Sequence, residues 1–322
     1  MKAGDSNVQK DVAAMEYIDK EKASSKTTHV DWPKIIFIAP AIFLIIALTL
    51  VPLFYTLIMS VSRIRGRQLI FVGIDNFKTM LTSPDFWLTL LNTVEFVIFT
   101  TTIEFVLGFI IAMLVSSVVR GQKLLRILFL LPLLLSPVAV SFMWKMMFNE
   151  QLGPITFFLK MFGLPTISWI TSPKVSLLSI IIVDIWEWTP LVFVMMLSAI
   201  VSLPREPFES ARVDGASSWR IFWDIMFPMV SPAAVATILI KMIEGFKVFD
   251  IPYITTGGGP GISSLPLTQY AYLTGTKTFN LGYAASISIF LLLVVLIMSM
   301  LFLGMARKYI GRRKIYTAEI GK

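Results

Sequence analysis

Six stretches of the chain stay apolar long enough to cross a bilayer, whose hydrocarbon core of about 30 Å takes roughly 20 helical residues. The first, 35–61, carries no charge between Lys34 and Arg63. The second, 87–119, is interrupted by Glu95 and Glu104, and the others cover 124–148, 175–201, 229–251 and 281–305. This pattern predicts an all-α membrane protein of six transmembrane helices. A polar N-terminal tail (1–33) precedes a transmembrane domain (34–306) with one long polar loop (202–228), and a short C-terminal tail (307–322) follows. The opening tail is too long and too acidic for a signal-peptide n-region, and the apolar run after it exceeds an h-region. The first helix is therefore expected to be retained.

Composition sharpens this picture. Of 322 residues, 56% are hydrophobic and 15% charged, against about 25% charged in ordinary globular chains. The formal charge of +8 invites a nucleic-acid reading, so the positions of the 28 Lys and Arg decide its meaning. With the N-terminus inside, 18 fall in cytoplasmic segments and seven outside. The positive-inside rule then places both termini in the cytoplasm, and the excess reports topology, with no nucleic acid implied. Arg63, Arg65 and Arg67 run against the rule, and nothing in the sequence accounts for them. The absence of cysteine excludes disulfides, thiolate metal sites and cysteine nucleophiles. The one histidine, His29, lies in the polar tail, which excludes a histidine-cluster metal site and Ser-His-Asp catalysis.

The loop between the fourth and fifth runs carries the most chemistry. Pro204 and Pro207 can begin a helix but not continue one, and Glu206 and Glu209 suit a first turn by countering its positive end. Phe208, Ala211 and Val213, then Trp219, Phe222 and Trp223, put apolar spots on two short amphipathic segments hinged at Gly215. Such an element is either a docking surface on the cytoplasmic face or an interfacial helix resting on headgroups.

Here Glu209-Ser210-Ala211, then three residues to Gly215, then nine to Ile225-Met226-Phe227-Pro228, resembles the EAA motif of binding-protein-dependent ABC importer permeases. Ser210 and Phe227 depart from the usual Ala and Leu. The carbohydrate-type branch, that of the maltose and glycerol-phosphate permeases, is similar in further segments. These are Ala39-Pro40, Gly73-Ile74-Asp75-Asn76-Phe77, Asn92-Thr93, Asp184 to Pro190, Phe249 to Tyr253, and Thr255 to Pro260. The resemblance implies the type I permease fold in a bacterial or archaeal cytoplasmic membrane. It implies four further partners besides the lipid bilayer: a homologous second permease, two cytoplasmic ATPase subunits and an extracytoplasmic substrate-binding protein. It also implies that Glu209, Ser210, Ala211, Asp214 and Gly215 couple to the ATPase. The cargo implied is a sugar, an oligosaccharide or a polyol.

No G-x-x-x-x-G-K-[ST] occurs, so ATP and Mg are expected on the partner ATPases, with no cofactor in this chain and no enzymatic activity of its own. Gly257-Gly258-Gly259-Pro260 lacks the Lys of a phosphate loop and reads as a tight turn closing the fifth helix. Charges within apolar runs are costly and usually face a cavity or a partner. Lys241, Glu244, Lys247 and Asp250 recur every three residues. They form either an internally paired ladder or one wall of a translocation path. Glu95 and Glu104, nine residues apart, lie on opposite helix faces, and at least one of them is expected to serve helix packing. Trp186, Glu187 and Trp188, with Asp184 and Tyr253, offer rings and carboxylates for sugar C–H faces and hydroxyls, or form an aromatic belt. Where permeases pair as heterodimers, sugar contacts can come mostly from one subunit. An ion-coupled secondary transporter is the alternative, but its paired broken helices or repeats are not evident. A membrane-embedded enzyme would need an acid/base or metal cluster for which the chain has almost no residues except carboxylates.

Overall fold

The computed structural model describes residues 32–66, 68–118 and 121–320, with side chains from 36 to 308 within those stretches. The polar tail up to residue 31, His29, Arg67 and Arg120 lie outside the described residues. The chain divides into two units, one ending at Tyr55 and one beginning at Thr56. Most of the first helix, α1 (Trp32–Ser60), belongs to the former unit, and it runs through Pro40 and Pro52 without ending. Pro is tolerated in a membrane helix, where neighbours and local adjustments re-satisfy the freed carbonyls.

The second unit opens with a feature absent from the all-α expectation, a two-stranded antiparallel hairpin. Strand β1 (Ser62–Arg65) pairs with β2 (Gln68–Phe71) in the register Ser62↔Phe71 to Arg65↔Gln68. The turn passes through Gly66 at φ +65°. The hairpin is fastened at its root. Asn76, 2% exposed on α2 (Asp75–Thr82), donates its Nδ2 to the carbonyls of Ser60 at 2.9 Å and Ser62 at 2.8 Å. Gly282 lies against the same place, where a Cβ would overlap the Ser62 oxygen and stand 2.9 Å from Asn76 Nδ2. Arg63 and Arg65 ride on this fixed hairpin, exposed.

Three long helices build the core. Helix α3 (Pro84–Ser117) starts where Ser83 accepts a hydrogen bond from the Phe86 N–H, with Pro84 and Asp85 in the favoured first-turn positions. It packs on α7 (Ser176–Val201) and α10 (Phe227–Phe246) through two apolar clusters. One joins Phe96 and Val97 to Ile180, Val183 and Phe246, and the other joins Phe109 and Ala112 to Phe193, Met196 and Ala234. A third cluster, around Met80, Phe86, Leu267 and Ile287, ties α2 and α3 to α12 (Leu267–Thr276) and α13 (Leu281–Ile320).

Among the described residues, five segments are long and apolar enough to cross a membrane: Ile36–Ser60, Pro84–Ser117, Ser176–Val201, Ser218–Thr255 and Leu281–Lys308. The expected third helix, 124–148, is not one helix. It divides into α4 (Gln122–Leu130), a 3₁₀ turn (Pro132–Leu134) and α5 (Pro137–Met147). Pro132 and Pro137 each start a new element because their rings exclude a continuing helical turn. A short α6 (Pro154–Met161) follows.

The fifth run also departs from expectation. Helical backbone begins at α9 (Ser218–Ile221), inside the expected loop 202–228, and passes through a π turn (Phe222–Met226) into α10. The wider turn sits just before Pro228, which has no N–H to donate. At the other end α10 stops at Phe246, and α11 (Asp250–Thr255) starts afresh. Lys145 on α5 secures that break by donating to the Ile254 carbonyl at 2.9 Å, and the Thr268 hydroxyl donates to the Val248 carbonyl. The Gly257–Pro260 segment is the expected turn after this helix and contains a cis Gly259–Pro260 bond.

Candidate functional site

Two places in the second unit gather the residues singled out in the sequence. The first lies where α3, α7 and α10 meet, and it depends on two glycines. Gly108, one turn after Glu104, brings α3 so near α7 that a Cβ there would stand 2.7 Å from Val192 Cβ. Gly245, one turn after Lys241, brings α10 against α3, where a Cβ would stand 3.3 Å from Val97 Cγ2. With the backbones this close, Lys241 reaches across. Its Nζ lies 2.9 Å from Glu104 Oε2 and 3.9 Å from Asp184 Oδ2, and 4.7 Å from the centre of the Trp188 ring. Glu104 is fully buried, Lys241 is 2% exposed and Asp184 is 4% exposed. A desolvated ammonium is stabilised by both partners, since a carboxylate and the negative face of an indole each attract it.

The expected ladder along the fifth helix therefore forms only in part. Glu244 and Lys247 do pair, at 2.7 Å. Lys241 instead pairs across helices, and Asp250 belongs to α11 beyond the break. Asp184, Trp188, Lys241, Glu244, Lys247 and Asp250 line one cavity of about 140 Å³, with Pro137 of α5 at its side. The break at residues 247–249 leaves room for it.

Of the other aromatic candidates, Trp186 faces away from this cavity. It is two residues from Trp188 and so about 200° around the helix. It packs edge-on to Trp144 at 5.9 Å and lines a separate apolar cavity. Tyr253 stacks on Phe249 at 5.1 Å and meets Tyr272 edge-on. Glu187 is 2% exposed and stands on the same helix as Asp184 and Trp188. Glu95 and Glu104 do lie on opposite faces, Glu95 exposed and Glu104 buried. The sequence expected at least one of the two to serve helix packing, and Glu104 is the one that lies between helices. Its position against Lys241 had no local signal, because 137 residues separate the partners.

The second place is the loop after α7. Helix α8 (Glu206–Val213) carries Pro207, Glu206 and Glu209 in its first turn. It ends in the motif that a left-handed residue permits: Gly215 has φ +77°, and the Ala216 N–H reaches back to the Ala211 carbonyl at 2.9 Å. Ser217 then caps α9 by accepting from the Arg220 N–H, and Arg220 pairs with Asp224 at 3.4 Å. The two segments hinged at Gly215 are thus present. Glu209, Ser210, Asp214 and Gly215 are exposed and Ala211 is half-buried. Trp219, Phe222, Trp223 and Phe227 form a chain of ring contacts from the exposed α9 to Phe109 of α3. The exposed loop is thus joined to the bundle by continuous ring packing.

Comparison with known proteins follows the same lines. Residues 104–313 match the family described as binding-protein-dependent transport system inner membrane component. The trehalose/maltose transport system permease protein of Thermococcus litoralis is 28% identical over 240 residues, 74% of this chain and 80% of that protein. The sulfoquinovosyl glycerol transport system permease protein of Agrobacterium fabrum is 30% identical over 278 residues, 85% and 90% of the two chains. A chain in the crystal structure of a bacterial alginate ABC transporter, in complex with an alginate pentasaccharide-bound periplasmic protein, superposes with a TM-score of 0.78. That match covers 87% of this chain and 96% of the other at 21% identity, and it shows a shared fold. These likenesses do not favour an ion-coupled secondary transporter. With several apolar spans, an exposed loop hinged at Gly215, and this breadth of likeness, the chain belongs to the family of binding-protein-dependent transport system inner membrane components.

Proposed function

We propose that the chain is the permease subunit of an ATP-driven importer that carries a carbohydrate into a bacterial or archaeal cell. The observation that carries this reading is the loop after α7. There an exposed acidic-first-turn helix, ended by left-handed Gly215, stands where the EAA motif stands in the family and connects through aromatic packing to the bundle. Relatives named for trehalose, maltose and sulfoquinovosyl glycerol support a sugar-type cargo. Two cytoplasmic ATPases would bind ATP and Mg and close on the loop through Glu209, Ser210, Ala211, Asp214 and Gly215. A homologous second permease would complete the path, and an extracytoplasmic binding protein would deliver the cargo. The path in this chain would run past the cavity of Asp184, Trp188, Lys241, Glu244 and Asp250, with Glu187 and Tyr253 near it, while Trp186 would contribute only from the separate apolar cavity on another side of α7. The chain would switch the path between inward- and outward-facing states as a two-state rearrangement.

In this reading the broken segment 122–147 is the sixth crossing, since its 26 residues span about 39 Å at helical rise, enough for the hydrocarbon core. Both termini then lie in the cytoplasm, as the distribution of Lys and Arg supports. The chain has no native cysteine, so single ones report cleanly. In intact cells an impermeant maleimide should label a cysteine at position 66 and leave one at position 215 unmodified; the reverse pattern would invert the topology. Purification of the chain from native membranes tests the assembly. An ATPase subunit is expected to co-purify, and repeated recovery of this chain alone would overturn the importer reading.

A further inference from the structure

We infer that the hairpin after α1 is a binding site for anionic phospholipid. It lies flat on its leaflet, with Arg63 and Arg65 against headgroup phosphates and its opposite face in the acyl region. Neither the cargo nor the side of the membrane on which the hairpin stands enters.

The register gives the hairpin two unlike faces. Residues paired across an antiparallel ladder project to the same side, and successive residues alternate. Ser62, Ile64, Leu69 and Phe71 therefore share one face, and Arg63, Arg65, Gln68 and Ile70 share the other. On the first face Ile64, Leu69 and Phe71 are all exposed, Phe71 at 76%, so no element among the described residues covers them. On the second, Arg63 and Arg65 are exposed, and neither side chain has an ion-pair or hydrogen-bond partner among the described residues. An apolar face backed by free arginines is the pattern of an element lying in a membrane interface.

The root of the hairpin fixes its level. Gly282, packed on the Ser62 carbonyl, is in the first turn of α13, and α13 is apolar enough to span the membrane from Leu281 onward. The hairpin thus leaves the bundle at the edge of the hydrocarbon. Further apolar side chains are exposed beside it, Ile74 ahead of α2 and Phe279 and Leu281 at the head of α13. Its apolar face continues the lipid-facing surface of the spanning helices. Strands of four residues extend about 14 Å, whereas each headgroup layer is roughly 5–8 Å deep. An upright hairpin would carry apolar side chains beyond the headgroups into water. Lying flat, it sinks Ile64, Leu69 and Phe71 and holds both arginines at the level of the phosphates, which a guanidinium grips through parallel N–H donors. Arg63 and Arg65, which run against the positive-inside distribution, then have partners of opposite charge. A protein docked on the arginines alone would leave the apolar face uncovered, which favours lipid.

The test uses the assembled importer in vesicles of phosphatidylcholine mixed with phosphatidylglycerol. A fluorophore is placed on Leu69→Cys or on Gln68→Cys, and the unsubstituted complex gives the labelling background. The label at position 69 should be quenched by doxyl-labelled acyl chains and shielded from acrylamide in the water, and the label at position 68 should show the reverse. Doxyl phosphatidylglycerol should quench the label at position 69 more than doxyl phosphatidylcholine at equal mole fraction. A basic residue beside an anionic surface is worth on the order of fivefold in binding. Arg63→Gln combined with Arg65→Gln should therefore erase most of that preference while the complex melts with the wild type. Acrylamide reaching both labels equally would overturn the inference, and so would shielding of position 69 from both quenchers, which would put a protein subunit on that face. A phosphatidylglycerol preference absent from the wild type, or unchanged in the double variant, would overturn it as well. Shielding of position 68 that appears only when the binding protein is added, with no lipid preference, would assign the arginines to that partner instead.

Discussion

Substitution of Gly215 by Asp is expected to abolish cargo uptake and binding-protein-stimulated ATP hydrolysis while the chain still inserts and assembles. The backbone at Gly215 has φ +77°, in the left-handed region where most side chains cost about 1–2 kcal/mol and Asp or Asn somewhat less. Nothing stands within 4 Å of a Cβ built there, so the new side chain meets no clash within this chain. The main change is thus a second carboxylate beside exposed Asp214, on the surface assigned to the ATPase. Asn has nearly the same shape and the same tolerance of left-handed backbone but no charge. Gly215→Asn should therefore retain much of the coupling that Gly215→Asp loses. Normal stimulated hydrolysis by the Asp variant, measured on the purified complex, would sink the assignment of this loop to coupling.

Breaking the buried pair of Lys241 and Glu104 is expected to have the largest effect on stability. Removing one partner of a buried ion pair leaves an uncompensated charge and typically costs about 3–5 kcal/mol. Among the described residues, Lys241→Met leaves fully buried Glu104 without an ion-pair partner and takes from Asp184 its one such partner. The variant should unfold well below the wild type in a thermal melt in detergent. Combining it with Glu104→Leu should recover most of the loss, because apolar residues of similar volume often replace a buried pair at little or no cost. If the double variant melts no higher than the single one, the pair is not what holds α3 to α10. Transport by the double variant then asks a separate question. A stable complex that no longer transports would place Lys241 in the cargo's path, and one that still transports would leave it a structural pin.

These two sites were legible in the sequence to very different degrees. The Gly215 hinge was readable because its signals are local: prolines and acids at a helix start, then a glycine at its end. Five of the spans were readable for the same reason, as long apolar runs. The third run failed as a single helix because hydropathy is blind to backbone geometry, although Pro132 and Pro137 stood inside it. The hairpin was missed beside two long helices, yet Arg63, Ile64 and Arg65 alternate in strand fashion ahead of Gly66. The ladder from Lys241 to Asp250, one of the two readings the spacing allowed, forms only at Glu244 and Lys247, and the reason is instructive. Spacing of three residues pairs side chains only while the helix lasts, and Pro252 with Asp250 marks the start of a new one. Nothing local could have matched Lys241 to Glu104, because that contact is made by helix packing at Gly108 and Gly245.

The fastening of the hairpin by Asn76 and Gly282 has a use in following transport. The end of α1, the hairpin, α2 and the first turn of α13 are joined by two buried hydrogen bonds and a backbone contact that tolerates no side chain. They form one rigid frame. Spin labels within that frame, at the hairpin and on α2, should keep one distance distribution with and without nucleotide. They supply a yardstick built into the molecule, against which the displacement of α8 can be read.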